Sequence, residues 1–167
     1  MPSANDEDFT AFVAGASRRL LRSAYLITGD ASAAEDLLQT ALERAYRHWS
    51  HCQRRGTPEA YVRRIIVNAA TDGWRREHTL RNVALSDAQV PALGDARLDS
   101  LPMREALIAA LRELPTGQRA VLVLRYFDDL TEAETARTLG CSLGTVKSQH
   151  ARAMTRLRQL LPDGRLT

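Results

Sequence analysis

The sequence contains little of what marks a disulfide-bonded, metal-binding or membrane protein. Only two of its 167 residues are cysteines, Cys52 and Cys141, and they lie far apart, which predicts neither a disulfide framework nor a zinc site. No apolar run approaches the roughly 20 residues that cross a bilayer as a helix, so we expect no membrane insertion. The first residues, Met1–Thr10, are acidic and polar, so we expect no signal peptide and a cytoplasmic location.

Residues for catalysis are also missing. The sequence shows no nucleophile–base set and no glycine-rich loop that would hold a phosphate group, so we expect neither an enzyme nor a bound cofactor. His48, His51 and Cys52 lie close together and leave one enzymatic alternative, a metal hydrolase. They lack the second cluster of ligands that a tetrahedral metal site requires.

Charge is nearly balanced over the whole chain, with 23 basic and 20 acidic residues and a net charge of +3. The distribution is more informative than the total. Residues 83–102 contain proline, glycine and three aspartates against one arginine, which is typical of an extended linker. We therefore predict two small domains, 1–82 and 103–167, joined by an acidic and flexible linker at 83–102.

Hydrophobic residues recur at the 3.6-residue period of an amphipathic helix in both predicted domains, and no stretch alternates as a strand does. The predicted fold is therefore all-α. Ser32 and Glu35 predict a capping box for the second helix, and Cys52–Gly56 predicts a basic loop before Pro58 starts the third. In the first domain, the helical stretches that would form a small bundle are 9–24, 34–49 and 57–76.

The second predicted domain ends in a helix-turn-helix. Thr131 and Glu134 predict a capping box, and Gly140 stands where the chain needs a left-handed residue to leave that helix. Ser142 is expected to cap the next helix, and Val146 to face the core. This spacing is that of a tight helix-turn-helix. Two further helices are predicted before the motif, at 103–114 and 118–127.

The second helix of this motif carries positive charge only. Between Leu143 and Leu161 it has one lysine, one histidine, three arginines and no acid. A helix whose solvent-facing side carries only basic charges is typical of a protein that binds a polyanion such as DNA. An ordinary solvated helix is the alternative, but such faces usually mix both signs. The basic residues are Lys147, His150, Arg152, Arg156 and Arg158.

Four stretches form an ordered set of motifs, at Ala34–Tyr46, Ala60–Asn68, Leu114–Arg119 and Gly144–Gln149. In this order, with an acidic linker between the second and the third, they resemble the extracytoplasmic-function (ECF) sigma factors of the sigma-70 family. More narrowly, they are similar to the SigE-like subgroup of actinobacteria. Many relatives have an acid after the glutamine of the first motif, where this chain has Thr40.

The resemblance implies a sigma factor, which binds core RNA polymerase, directs it to specific promoters and helps to open the downstream (−10) element. The first domain would grip polymerase and recognise the −10 element, and the second would read the upstream (−35) element. The implied partners are promoter DNA, the clamp helices of the largest polymerase subunit and the flap of the second-largest subunit. A separate anti-sigma factor is a further possible partner, because few residues follow Arg158 to supply control from within.

The resemblance also assigns residues to the polymerase contact and to the −10 element. A mixed polar face is equally what a solvated helix shows, and only the family match favours binding there. Trp74 could stack on a base, although a place in the core is the simpler interpretation. For polymerase the residues are Asp36, Leu37, Gln39, Thr40, Glu43 and Arg44. For the −10 element they are Gln53, Arg54, Arg55, Gly56, Arg64, Asn68, Arg75 and Arg76, with Asn68 facing the captured base.

The upstream reader would be the helix from Leu143. Lysine and arginine donate to guanine, glutamine pairs with adenine, and a helix N-terminus suits phosphate. The residues assigned to the −35 element are Ser142, Thr145, Lys147, Ser148, Gln149, Ala151, Arg152 and Arg156.

Two non-enzymatic alternatives remain open at this point. A stand-alone helix-turn-helix regulator usually dimerises to span two half-sites, and this chain shows no dimerisation helix or ligand domain. A scaffold that binds polymerase without DNA would not need the basic helix. Docking on polymerase supplies the second DNA contact that a single small reader lacks.

Overall fold

The computed structural model describes residues 1–72 and 101–161, apart from the side chains of Leu101 and Met103. Within those two ranges all regular structure is helical, which confirms the all-α prediction. The chain divides into two compact units, Met1–Asp72 and Gly73–Thr167. Of the predicted linker, residues 83–100 lie outside the described residues. The last two residues of the predicted linker, Leu101 and Pro102, belong to a helix that begins at Leu101.

The first unit contains a long helix with a strong start and stop. Ser3 and Asp6 form a reciprocal capping box at its N-terminus, and Gly29 ends it in the left-handed conformation with φ 71°. The helices of this unit are α1 (Ala4–Thr28), α2 (Ala31–Arg47), α3 (Trp49–Arg54) and α4 (Pro58–Ala70). Pro58 starts α4 at a position where the missing amide proton has no helical acceptor.

Helix α2 is capped by Asp30, whose Oδ1 accepts a hydrogen bond from the Ala33 amide at 2.8 Å. The predicted capping box of Ser32 and Glu35 is therefore wrong. Asp30 follows directly on the left-handed Gly29, so its carboxylate reaches the first free amides before Ser32 can. Ser32 already lies inside the first turn.

Helices α1, α2 and α4 pack together around one core, and alanines make their close approach possible. Ala24, Ala34, Ala41 and Ala45 are completely buried, and their small side chains leave room for larger neighbours from the facing helices. The larger members of the core are Leu20, Leu38, Val62 and Ile66.

The short helix α3 replaces part of the predicted basic loop, because Cys52, Gln53 and Arg54 are helical. Trp49 begins this helix, is buried, and packs edge-on against Phe9 with ring centroids 5.1 Å apart. Burial of this large side chain fixes the end of α2 and the start of α3 against the first turns of α1.

The second unit contains the helix-turn-helix. Its described elements are α5 (Leu101–Glu113), α6 (Thr116–Leu122), a π-helical turn (Val123–Phe127), α7 (Glu132–Leu139) and α8 (Leu143–Leu160). The predicted caps are confirmed. Thr131 and Glu134 form the capping box, Gly140 is left-handed at φ 67°, and Ser142 accepts from the Thr145 amide at 3.1 Å.

The predicted helix at 118–127 changes to π geometry over its last five residues. The Asp128 amide donates to the Val123 carbonyl, five residues back, at 3.1 Å. Arg125 donates from Nη1 to the Leu130 carbonyl, which anchors the loop that enters α7. Single π turns inside helices occur often at functional positions, and this one carries Tyr126 toward α8.

Candidate promoter and polymerase interfaces

Helix α8 has a buried side and an exposed basic side. Val146, Ala153, Met154 and Leu157 are buried, and the helix packs against α6, α7 and α5. On the other side Lys147, Arg152, Arg156 and Arg158 are exposed. The apolar side packs in the core of the second unit, and this packing leaves the cations of the other side exposed to solvent.

Three of the residues predicted to face the −35 element do not lie on the surface. Thr145 is 8% exposed, Ser148 3% and Gln149 4%, and the Ser148 hydroxyl donates to the Thr145 carbonyl at 3.1 Å. The surface position predicted for them is therefore wrong. Helix α8 contacts three other helices, so more of its circumference is covered than its stripe of apolar residues indicates.

His150 is also absent from the exposed basic side. It is 4% exposed, and its Nε2 lies 2.6 Å from the Tyr126 hydroxyl of the π turn. Burial lowers the pKa of His150 below its ordinary value, with Arg125 lowering it further and Glu132 opposing both. His150 is thus a neutral core residue that connects α8 to the π turn.

The start of α8 exposes a residue that the sequence analysis did not select. Leu143 is 44% exposed and lies one turn before Lys147. Ser142 beside it is occupied as the helix cap and also bonds the Thr145 hydroxyl at 2.9 Å. The signal that could have identified Leu143 is an exposed leucine beside an exposed lysine, because an apolar contact suits the thymine methyl group.

The described residues predicted for the −10 element lie around the α3–α4 connection and on α4. Arg54, Arg55 and Gly56 are exposed at the connection. Gly56 has φ 136°, and a Cβ built on it would meet nothing within 4 Å, so its conformation rather than crowding requires glycine. Gln53 donates to Asp8 of α1 at 3.3 Å, which ties the end of α3 to the first turns of α1.

Arg64 and Asn68 lie one turn apart on α4. Arg64 is exposed, whereas Asn68 is partly buried and its Oδ1 is buried without a hydrogen-bond partner. An unpartnered buried acceptor costs free energy that a donor from a ligand would recover. The neighbouring Arg63 is instead held by Glu59 at 3.0 Å. The predicted contacts Arg75 and Arg76, and also Trp74, lie outside the described residues.

The residues predicted to contact polymerase share one side of α2. Leu38, Ala41 and Ala45 are buried on the opposite side, as the sequence pattern predicts. Leu37 is partly exposed. The other five predicted residues, Asp36, Gln39, Thr40, Glu43 and Arg44, are exposed.

The motif residue Arg119 has a structural contact. Its Nη2 donates to the Leu114 carbonyl at 3.0 Å, which satisfies a carbonyl at the end of α5, and burial lowers its pKa. Within this motif, Arg119 thus stabilises the turn between α5 and α6 through its bond to Leu114.

Neither a metal centre nor a membrane span is found in the part of the chain that the structure describes. No three histidine, cysteine or acidic side chains there converge as metal ligands, and the cluster expected of a metal hydrolase is split, since Cys52 is buried while His48 and His51 are exposed. None of the helices at 1–72 and 101–161 is long and apolar enough to cross a membrane.

Comparison with protein families matches each unit to one sigma-70 region. Sigma-70 region 2 matches residues 12–79, and sigma-70 region 4 matches residues 104–157. The sigma-E factor of Streptomyces coelicolor is 38% identical over 154 residues, which cover 92% of this chain and 86% of that protein. SigM of Mycobacterium tuberculosis, an ECF sigma factor, is 35% identical over 86% of this chain and 72% of its own.

The chain belongs to the ECF sigma factors of the sigma-70 family. Sigma factors bind core RNA polymerase and direct it to promoters, and this is the function of the chain. A solved structure agrees with the assignment. The sigma factor RpoE of Bartonella quintana, crystallised with the anti-sigma factor NepR, is 26% identical with a TM-score of 0.70 and covers 95% of this chain and 99% of its own.

The sigma factor's buried histidine predicts a pH dependence of stability. The lowered pKa keeps His150 neutral in the folded state, whereas the unfolded chain protonates it below its ordinary value of 6.5. The free energy of unfolding therefore keeps its full value above about pH 6.5. It decreases as the pH falls below 6.5, because the unfolded chain takes up a proton at His150 that the folded chain does not. Denaturant unfolding of the full chain and of His150→Gln, at about pH 7.5 and about pH 5.5, measures the difference.

We expect the wild type to lose more stability on acidification than His150→Gln, whose amide stays neutral and still reaches Tyr126. The other three of the four histidines are present in both proteins and cancel. Equal losses in the two proteins would show that His150 is not held neutral.

Proposed function

We propose that this sigma factor reads the −35 element with the exposed side of α8, holds the −10 element near the α3–α4 connection and docks on the polymerase clamp helices through α2. It acts in the cytoplasm and catalyses no reaction of its own. The flap of the second-largest subunit is the proposed partner of the second unit. We also propose that the first unit helps to open the promoter, because a melted strand needs both cations and a recessed polar contact to be held.

The observation that carries the −35 proposal is the exposed basic strip of α8. Lys147, Arg152 and Arg156 form no ion pair within the described parts of the chain, so their charges are available to DNA. Leu143 and Ala151 add apolar surface beside Lys147. We propose these five as the DNA-facing set and exclude Ser148 and Gln149, since base contact would require both to leave buried positions.

The −10 proposal depends on the surroundings of Asn68. Its Oδ1 is buried and unpartnered, so a rotation of this partly buried side chain would let it accept from the exocyclic amine of a captured base. The exposed Arg64 lies one turn away for the strand's phosphates. Arg54 and Arg55 add positive charge at the connection before α4. Because Arg63 is already paired with Glu59, we leave it out of this site.

The polymerase proposal depends on the exposed polar side of α2. Asp36, Thr40 and Glu43 follow one another at helical spacing, with Leu37 at the edge as an apolar contact. Charged groups beside an apolar contact set the register and specificity of an interface. Thr40 carries no charge, which leaves Asp36 and Glu43 as the exposed acids of this surface.

The first test concerns base selection at the −35 element. Lys147→Ala and Arg152→Ala should each cost about 1–3 kcal/mol in binding of the selected promoter by holoenzyme, and should relax selection at one position of the −35 element. The control is Arg158→Ala, an exposed arginine on the last turn of the same helix. It should weaken all sequences alike and leave base selection unchanged.

Footprinting and transcription on a library of −35 variants measure these effects. If Lys147→Ala and Arg152→Ala leave −35 selection as it is in the wild type, the proposed reading surface is wrong.

The second test concerns docking on polymerase. Reversing two exposed acids, in Asp36→Arg with Glu43→Arg, should weaken binding to core polymerase roughly tenfold or more, because it inverts the charge that this side of α2 presents to its partner. Glu35→Arg is the matched control, since Glu35 is exposed on the same helix but outside the proposed contact. Competition against labelled wild-type protein for core measures both. Equal affinities of the control and the double variant would contradict docking through this side of α2.

Regulation by a separate anti-sigma factor is proposed from the likeness to RpoE, which was solved with such a partner. We expect a stoichiometric protein other than polymerase to co-purify with the sigma factor from its own cells under some growth condition. Recovery of polymerase alone under every condition tested would count against a dedicated inhibitor.

A further inference from the structure

Helix α8 is joined to the π turn by a directed polar contact. The Tyr126 hydroxyl lies 2.6 Å from Nε2 of His150, and the two ring centroids are 5.6 Å apart with the ring planes at 34°. His150 is 4% exposed, and its other ring nitrogen, Nδ1, is buried without a hydrogen-bond partner. Among the described residues, the Tyr126 hydroxyl is therefore the group that orients the His150 ring.

The apolar contacts of α8 define its rotation about its own axis less sharply than this bond does. Ala153, Met154 and Leu157 are buried, which excludes a rotation by a whole residue. Smaller rotations remain open, because the hydrophobic effect has no preferred direction and a methionine side chain adapts to shifts of its neighbours. A hydrogen bond weakens steeply when its donor and acceptor move out of line. The bond between Tyr126 and His150 is thus suited to fix the rotation of α8.

The backbone around Tyr126 is irregular on both sides of its contact with α8. Tyr126 lies in the π turn that the bond from the Asp128 amide to the Val123 carbonyl closes. Asp129 follows in the left-handed conformation with φ 53°, which costs free energy in a residue other than glycine and persists only where surrounding contacts hold it. Irregular backbone of this kind is frequent at functional positions, and here it presents the hydroxyl that meets α8.

His150 lies between the two cations proposed to read bases. It follows Lys147 by three positions and precedes Arg152 by two, so a rotation of α8 at His150 moves both cations across the DNA. Hydrogen bonds to base edges discriminate only in a defined geometry, whereas contacts to phosphates carry no sequence information. A change in the rotation of α8 would therefore alter the choice of bases more than the overall attraction to DNA.

We infer that Tyr126 is a positioning residue for −35 recognition, which acts through His150 to fix the rotation of α8 and with it the base edges that Lys147 and Arg152 reach. This inference rests on the proposed −35 reading by α8. It assigns a role in promoter specificity to a side chain on the turn before the helix-turn-helix, and this role requires no contact between Tyr126 and DNA.

A role of this bond in stability alone predicts a different pattern of promoter binding. A contact that only stabilises the fold changes the amount of folded protein, so all −35 variants lose binding by the same factor. A contact that sets the rotation of α8 changes the ratio of affinities between −35 variants. Replacing both partners of a buried hydrogen bond by apolar groups of similar shape can be nearly neutral for stability, so a double variant separates the two roles.

The test uses holoenzyme assembled from core polymerase and the full chain, with a library of promoters that differ in the −35 element. Tyr126→Phe removes the hydroxyl and keeps the ring, His150→Leu removes the other partner, and the double variant removes both. His150→Gln is the conservative variant, because its amide still reaches Tyr126. The matched control is Tyr46→Phe, which removes a hydroxyl bonded to Asp6 at 2.7 Å in the first unit. Denaturant unfolding of each full chain measures stability in parallel.

Tyr126→Phe, His150→Leu and the double variant should each lower the preference for the selected −35 element over its variants roughly three- to tenfold. The three losses should be equal, because all three proteins lack the same bond. The double variant should be about as stable as the wild type. The preference should be kept in His150→Gln and Tyr46→Phe. The slope of log affinity against log salt should stay that of the wild type in all variants, because no phosphate contact is lost.

Three results would overturn the inference. The first is an unchanged −35 preference in Tyr126→Phe and in the double variant. The second is an equal loss of binding to all −35 variants that recovers with stability in the double variant, which would assign the pair to stability alone. The third is a loss of preference in His150→Gln as large as in His150→Leu. Failure of the −35 proposal itself is distinguishable, because Lys147→Ala and Arg152→Ala would then also leave −35 selection unchanged.

Discussion

The packing of α8 against its neighbouring helices is the constraint on which the rest of the second unit depends. Val146, Met154 and Leu157 are buried on one side of the helix, and this burial determines which side chains remain outside. A rotation of the helix by one residue would bring arginine toward the core, where an unpaired charge is costly. The basic strip is thus exposed because the apolar side has only one position in which it can be buried.

Several contacts hold α8 in that position. The left-handed Gly140 and the Ser142 cap set where the helix begins. The π turn brings Tyr126 to His150 at 2.6 Å, and Arg125 binds the Leu130 carbonyl ahead of α7. Arg119 and Arg125 are cations that stabilise turns, whereas Lys147, Arg152, Arg156 and Arg158 of α8 are exposed. The chain therefore uses arginine both to build the helix-turn-helix and to supply its charge for DNA.

In the first unit the corresponding constraint is the alanine-rich contact of α1, α2 and α4. Ala34, Ala41 and Ala45 let α2 lie close to its neighbours, and the polar residues between them are left on the outer side. Asp8 of α1 holds Gln53 at the end of α3, and Arg19 of α1 binds Glu59 of α4 at 2.8 Å. These tethers join α1 to the helices on both sides of the connection proposed for the −10 element.

The sequence predicted most of the parts of this arrangement that local chemistry determines, although the capping box of Ser32 and Glu35 was wrong because Asp30 caps α2. The capping box at Thr131, the left-handed Gly140 and the apolar stripe of α2 depend on residues a few positions apart, and all three are confirmed. The burial of Ser148, Gln149 and His150 depends on which helices surround α8, and polar residues give no periodic signal for that. The π turn was equally inaccessible, because its residues also fit an ordinary helix.

Transcription by core polymerase on genomic DNA, with and without the full chain, tests the account most directly when the 5′ ends of the transcripts are sequenced. The account predicts new start sites only when the chain is present, preceded by two shared elements at fixed spacing. It also predicts that Lys147→Ala changes the choice of the upstream element. New starts with no shared upstream element, or binding of the chain to DNA with no new transcript, would contradict promoter reading by α8.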